Sequence, residues 1–112
     1  MQGPWSQEQI DRARNVRFDT VLDFMGAFHK RDHDYSPRDP GREGVRVHAS
    51  YCGRDFRFVI TGEKFVNELL SQGVLARGGG GTIDFVRHIT GYNFVQAVKI
   101  CLDAAETTRV HR

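Results

Sequence analysis

The sequence predicts an α+β fold, a small antiparallel sheet built on a central hairpin and flanked by N-terminal and C-terminal helices. Three observations carry this. Apolar residues recur at helical spacing up to about His29, alternate with period two from Val45 to Ile60, and return to helical spacing from Ile83 to Ala105. With 112 residues, 39% hydrophobic and 11% aromatic, the chain suits one core, so residues 1–112 are read as one domain.

Ser6 to Gln9 (SQEQ) has the spacing of a capping box and marks the start of a first helix. Phe18, Val21, Leu22, Met25 and Phe28 then recur three and four apart, which predicts a second helical stretch ending near His29 to Asp32. The run from Asp32 to Gly44, DHDYSPRDPGREG, mixes prolines, glycines and charges and reads as a surface loop. Val45, Val47, Ala49 and Tyr51 alternate with Arg46, His48 and Ser50 as one strand; Cys52 to Asp55 turns the chain. Phe56, Phe58 and Ile60 alternate with Arg57 and Val59 as its antiparallel partner. Phe65 to Gln72 fits a short helix or a third strand equally well.

Gly78 to Gly81 read as a flexible turn leading into Thr82, the expected cap of a helix through Ile83, Val86 and Ile89 that Gly91 ends. Asn93 and Gln96 repeat the capping-box spacing. Phe94, Ala97, Val98, Cys101, Leu102 and Ala105 mark the buried stripe of a last helix, whose final TTRVHR is expected to fray. Trp5 is either a staple on the first helix or an exposed contact.

The charge is +2 and even along the chain: residues 1–57 hold 10 Lys or Arg against 9 Asp or Glu, and residues 58–112 hold 6 against 5. Arginine outnumbers lysine 13 to 3, a balance that suits bidentate phosphate contacts as well as a GC-rich gene. No apolar run approaches the roughly 18 residues of a membrane span, and MQGPWSQEQI lacks a signal-peptide pattern, so a cytoplasmic protein without a membrane partner is expected. Cys52 and Cys101 stand alone and far apart, which predicts two reduced thiols. There is no CxxC, HExxH or GxSxG, and GGGGTID lacks the residues of a P-loop, so no catalytic residues are assigned. Asp84 and His88, four apart, suit a surface pair better than acid-base chemistry.

The segment GGGGTIDFVRHITGYNFVQAVKICL, Gly78 to Leu102, is similar to the one that closes the zinc-binding domain of bacterial and phage primases. There a glycine turn leads into an Ile-Asp-Phe-type helix, a glycine, and a Phe-x-x-Ala helix. FRFVITGEKF, Phe56 to Phe65, resembles the family's strand, Glu-Lys turn and strand, and IDRARNVRFDTVLDFMG, Ile10 to Gly26, resembles its leading helices. The family's zinc pairs, a Cys-x-x-His and a Cys-x-x-Cys, fall near His48 with Tyr51 and near Gly73 with Ala76, which form no tetrahedral N/S set. Neither zinc nor any other cofactor is expected. Phe65, Val66, Leu69, Leu70, Val74 and Leu75 are expected to replace the metal by packing under the sheet.

The resemblance implies a non-enzymatic domain that binds single-stranded DNA beside a primase, helicase or other replication or plasmid-transfer protein. The residues nominated for nucleic acid are Arg46, Tyr51, Arg54, Arg57, Lys64 and Arg77, with Arg54 and Lys64 at positions where the family is basic. His48 and Tyr92 accompany them. The rival reading is a protein-interaction module that has lost both zinc and DNA binding.

Overall fold

The computed structural model describes residues 4–37, 44–70 and 78–110. In chain order the elements are α1 (Gln7–Arg14), α2 (Phe18–Phe24), β1 (Phe28–Asp32), β2 (Val45–Tyr51), β3 (Arg54–Thr61), β4 (Lys64–Asn67), β5 (Gly78–Gly80), α3 (Thr82–Thr90) and α4 (Phe94–Val110). The fold is α+β, as the patterning requires. Its five strands form one antiparallel sheet in sequence order, with the β2–β3 hairpin near its middle.

Both capping boxes form. The Ser6 hydroxyl accepts from the Gln9 amide at 3.1 Å while the Ser6 amide donates to the Gln9 side chain at 2.8 Å, and Asn93 and Gln96 exchange the same pair of bonds ahead of α4. Gly91, left-handed at φ 76°, ends α3. Trp5 is half-buried: it packs on the core, and its indole N–H donates to the Val95 carbonyl of α4 at 3.0 Å.

Several expectations need correction. The second helix stops at Phe24, because Gly26 takes φ 72° and turns the chain out of the helix. Phe28 therefore opens β1, and Asp32 closes it, where loop was expected. The glycines 78–80 form an edge strand on β4, since pairing needs only backbone. A Cβ at Gly78 would sit 2.4 Å from the Phe65 carbonyl oxygen, so this pairing admits no larger residue. Thr82 is not the cap of α3; Gly81 holds that position, and the Thr82 hydroxyl donates to the Val16 carbonyl instead, tying α3 to the α1–α2 junction. Helix α4 runs to Val110, past the expected fraying point.

All four helices lie on one side of the sheet. Phe58 and Phe65 point from the strands to Phe85 of α3, Phe65 also meets Phe18 of α2, and Phe56 stacks on Phe58; Phe58 lies 4.8 Å from Phe85 and 5.8 Å from Phe65 between ring centroids. Offset and edge-on contacts of this kind add about 0.5–1.5 kcal/mol per pair beyond burial. Helix α4 packs over α1, α2 and α3 through Ala97, Val98, Cys101 and Ala104. The open question over residues 65–72 settles as strand for Lys64–Asn67. Of the apolar run expected to replace zinc, Phe65 is buried, but Val66 and Leu69 are exposed, so they do not pack under the sheet; Val74 and Leu75 lie outside the described residues.

Candidate nucleic-acid interface

Period-two alternation gives the sheet two unlike faces. Val45, Val47, Ala49 and Tyr51 share the helix side with Arg54, Phe56, Phe58 and Ile60, as their cross-strand register requires. Lys30, Asp32, Arg46, His48, Arg57, Val59, Lys64 and Val66 fall on the opposite side, which no described helix covers. Lys30 lies opposite His48 and His48 opposite Arg57, so three basic side chains form a row across β1, β2 and β3. Neighbouring strands are about 4.8 Å apart, which fixes the pitch of that row.

Two carboxylates interlock with it. Glu68, just past β4, accepts from Arg46 Nε at 2.9 Å and lies 3.2 Å from Arg57 Nε. Asp32 lies 3.5 Å from both Arg46 and His48. The Arg46 guanidinium also stacks 4.6 Å from the Tyr35 ring centroid. Burial pulls Arg46 down, but its bonds to Glu68 and Asp32 outweigh this and hold it above its usual value. The Asp34 amide, donating at 3.0 Å, is the main cause holding Asp32 below the usual carboxylate range, with His48 and Arg46 adding to it. The face thus carries Lys30, Arg46, Arg57 and Lys64 against Asp32, Asp55 and Glu68, and the Arg46 guanidinium is held by hydrogen bonds to Glu68 and Asp32. Phe28, at the end of β1, is 65% exposed beside it.

Of the nominated residues, Arg46, Arg57 and Lys64 come together on this open face, along with His48. Tyr51 and Arg54 do not join them, because they share the parity of Phe56 and Phe58. Arg54 donates to the Ile89 carbonyl at 3.2 Å and lies over the Phe56 ring, so it closes the end of α3. Tyr51 is half-buried, and burial raises its phenol above its usual value, with the neighbouring Cys52 thiol adding to the shift. Arg77 lies outside the described residues. Lys30, Asp32, Tyr35 and Glu68 were not nominated from the sequence. The first two were hidden by the reading of β1 as helix end and loop, and Glu68 by its place in an undecided segment.

Beneath the face, Asn67 joins β4 to α3. Its Oδ1 accepts from the Arg57 and Leu69 amides, each at 3.2 Å, so its Nδ2 is left to donate to His88 Nε2 at 3.1 Å. His88 therefore presents an unprotonated Nε2 to Asn67 while its ring sits 5.7 Å from both Phe58 and Phe65. Among the described residues, no group of three or more His, Cys, Asp or Glu is placed to hold a metal. Cys52 is exposed and Cys101 buried; both are free thiols. No described helix is long and apolar enough to cross a membrane. No family model matches the chain, and no curated protein or solved structure matches it significantly.

Proposed function

We propose that this domain binds single-stranded nucleic acid across the open face of its sheet, as a non-catalytic accessory module. The observation that carries the proposal is the uncovered row Lys30, His48 and Arg57, flanked by Arg46 and Lys64 and bordered by the exposed ring of Phe28. Cations tracking a backbone next to an aromatic platform are what an unpaired strand requires. Single-stranded DNA is the ligand that the likeness to the primase zinc-binding domain implies, with a primase, helicase or transfer protein as its working partner. Glu68 and Asp32 tune the face: they engage Arg46, Glu68 also pairs with Arg57, and together they lower its net charge, which limits affinity.

Fluorescence anisotropy with a labelled oligothymidylate tests this. Four phosphate contacts give a slope of log K on log salt of about −3, so affinity falls roughly fiftyfold between 50 and 200 mM salt. The double change Arg46→Ala, Arg57→Ala removes two of the four contacts and about halves that slope. No binding at 50 mM salt, or binding indifferent to salt, overturns the proposal.

One observation favours a second reading, a protein-interaction module. Tyr92, Phe94 and Val95 are exposed together where α3 gives way to α4, on the far side from the basic row. Large apolar groups in the open mark contact surfaces. Absence of salt-dependent oligonucleotide binding decides for this reading.

A further inference from the structure

A cavity of about 670 Å³ opens on the helix side of the sheet, between the α1–α2 junction, β1, β2 and the β3–β4 turn. That lies within the roughly 300–1,000 Å³ of small-molecule sites. Its floor is apolar, built from Phe18, Leu22, Val45, Val47 and Ile60. Its rim carries Arg14, Arg17 and Arg31. Arg17 is engaged by Asp19 at 3.0 Å, and His29, also on the rim, by Asp23 at 2.6 Å. Arg14, from the last turn of α1, and Arg31, from β1, have no ion-pair partner among the described residues. Two guanidinium groups without an ion-pair partner among the described residues therefore line the same apolar pocket, while Glu63, also in its lining, disfavours a ligand of high negative charge.

We propose that this cavity binds a free aliphatic carboxylate of medium chain length. The carboxylate is held at the mouth by Arg14 and Arg31, and the hydrocarbon body lies on Phe18, Leu22, Val45, Val47 and Ile60. Guanidinium and carboxylate match in a planar fork, and the body gains its affinity from apolar area removed from water. The site is separate from the open face, and none of the residues nominated for nucleic acid lines it.

The test is a titration of the isotope-labelled protein, followed by backbone amide spectra, with three probes: decanoate, decanol and acetate. Decanoate saturates, with shifts confined to the lining segments, and decanol and acetate bind at least tenfold more weakly, because each lacks one half of the ligand. Arg14→Gln and Arg31→Gln each weaken decanoate about tenfold, the usual effect of losing a charge-assisted hydrogen bond. Both positions are exposed, so the variants keep the wild-type spectrum without ligand. Absence of saturable decanoate binding overturns the proposal, as does equal binding of decanol, or arginine variants that bind decanoate as the wild type does. Co-sedimentation with phosphatidylglycerol vesicles separates a free carboxylate from a membrane-borne chain: the protein stays in solution, and pelleting contradicts the assignment.

Discussion

The two faces of the sheet are built by alternate residues of the same strands, yet they are held by different physics. On the helix side, Phe58 is fully buried among Phe65, Phe85 and His88. One residue along, Val59 belongs to a face where Arg46, Arg57, Asp32 and Glu68 form a lattice of ion pairs in contact with water. Apolar burial is worth several kcal/mol per large side chain, whereas exposed ion pairs are worth about 0–1 kcal/mol each. One face therefore carries the stability, and the other is free to carry a function.

The largest expected effect breaks the first face. Phe58→Ala destabilises by about 3–5 kcal/mol, because the cavity is walled by rings that have no room to collapse. Val59→Ala, its neighbour on the open side, costs less than about 1 kcal/mol. Urea denaturation of both variants checks the contrast, and comparable losses refute the division.

The glycine edge supplies a narrower contrast. Gly78→Ala forces a Cβ toward the Phe65 carbonyl and costs about 1–3 kcal/mol. At Gly80 a Cβ meets nothing within 4 Å, so Gly80→Ala stays within about 0.5 kcal/mol. Thermal melts of the pair separate a steric requirement from a merely flexible turn.

The core and the open face also titrate at opposite ends of the pH scale. Burial pushes the Cys101 thiol up to about 12. In the unfolded chain the thiol loses its proton near 8.5, so between roughly 8.5 and 12 the folded state holds more protons and stability falls as pH rises, by about 1.4 kcal/mol per pH unit. Cys101→Ala removes that alkaline loss, measured as the difference between the two stability profiles. Asp32 works the other way. Its folded value is depressed by the Asp34 amide and then by His48 and Arg46, so its contribution is present above about pH 4 and fades as pH falls through the folded value. Asp32→Asn flattens that acid limb, and the effect is smaller because the half-buried carboxylate keeps contact with water.

The smallest stability effect carries the sharpest functional contrast. Glu68→Gln changes stability by less than about 1 kcal/mol. By releasing Arg46 and Arg57 it tightens oligothymidylate binding about fivefold, the factor given by ~1 kcal/mol of relieved repulsion. Weaker binding would mean that Glu68 is needed to hold the guanidinium groups in place.

How far the sequence revealed this architecture depends on where the signal lies. The capping boxes and the β2–β3 hairpin were legible because side chains alone determine them: Ser6 with Gln9, and Phe56, Phe58 and Ile60 in alternation. Strand β1 was not. Phe28 stands three residues after Met25 and so continues the helical spacing, and only the φ of Gly26 and pairing with β2 move it into the sheet. Nor was β5, since three glycines offer no side-chain pattern and their pairing depends on a close backbone approach to Phe65. The parity of the hairpin did separate Arg46 and Arg57 from the core. The same parity applied to Arg54 places it on the helix side, where it reaches Ile89. The ion-pair lattice was illegible because Asp32, Arg46 and Glu68 meet only once β1, β2 and the end of β4 are side by side.

Mapping an unlabelled oligothymidylate onto the amide spectrum of the isotope-labelled protein at low salt tests the functional division most directly. Shifts concentrated at Lys30, Arg46, His48, Arg57 and Lys64, and lost at high salt, are the expected result. Shifts centred on Tyr92, Phe94 and Val95, or no shifts at all, contradict it.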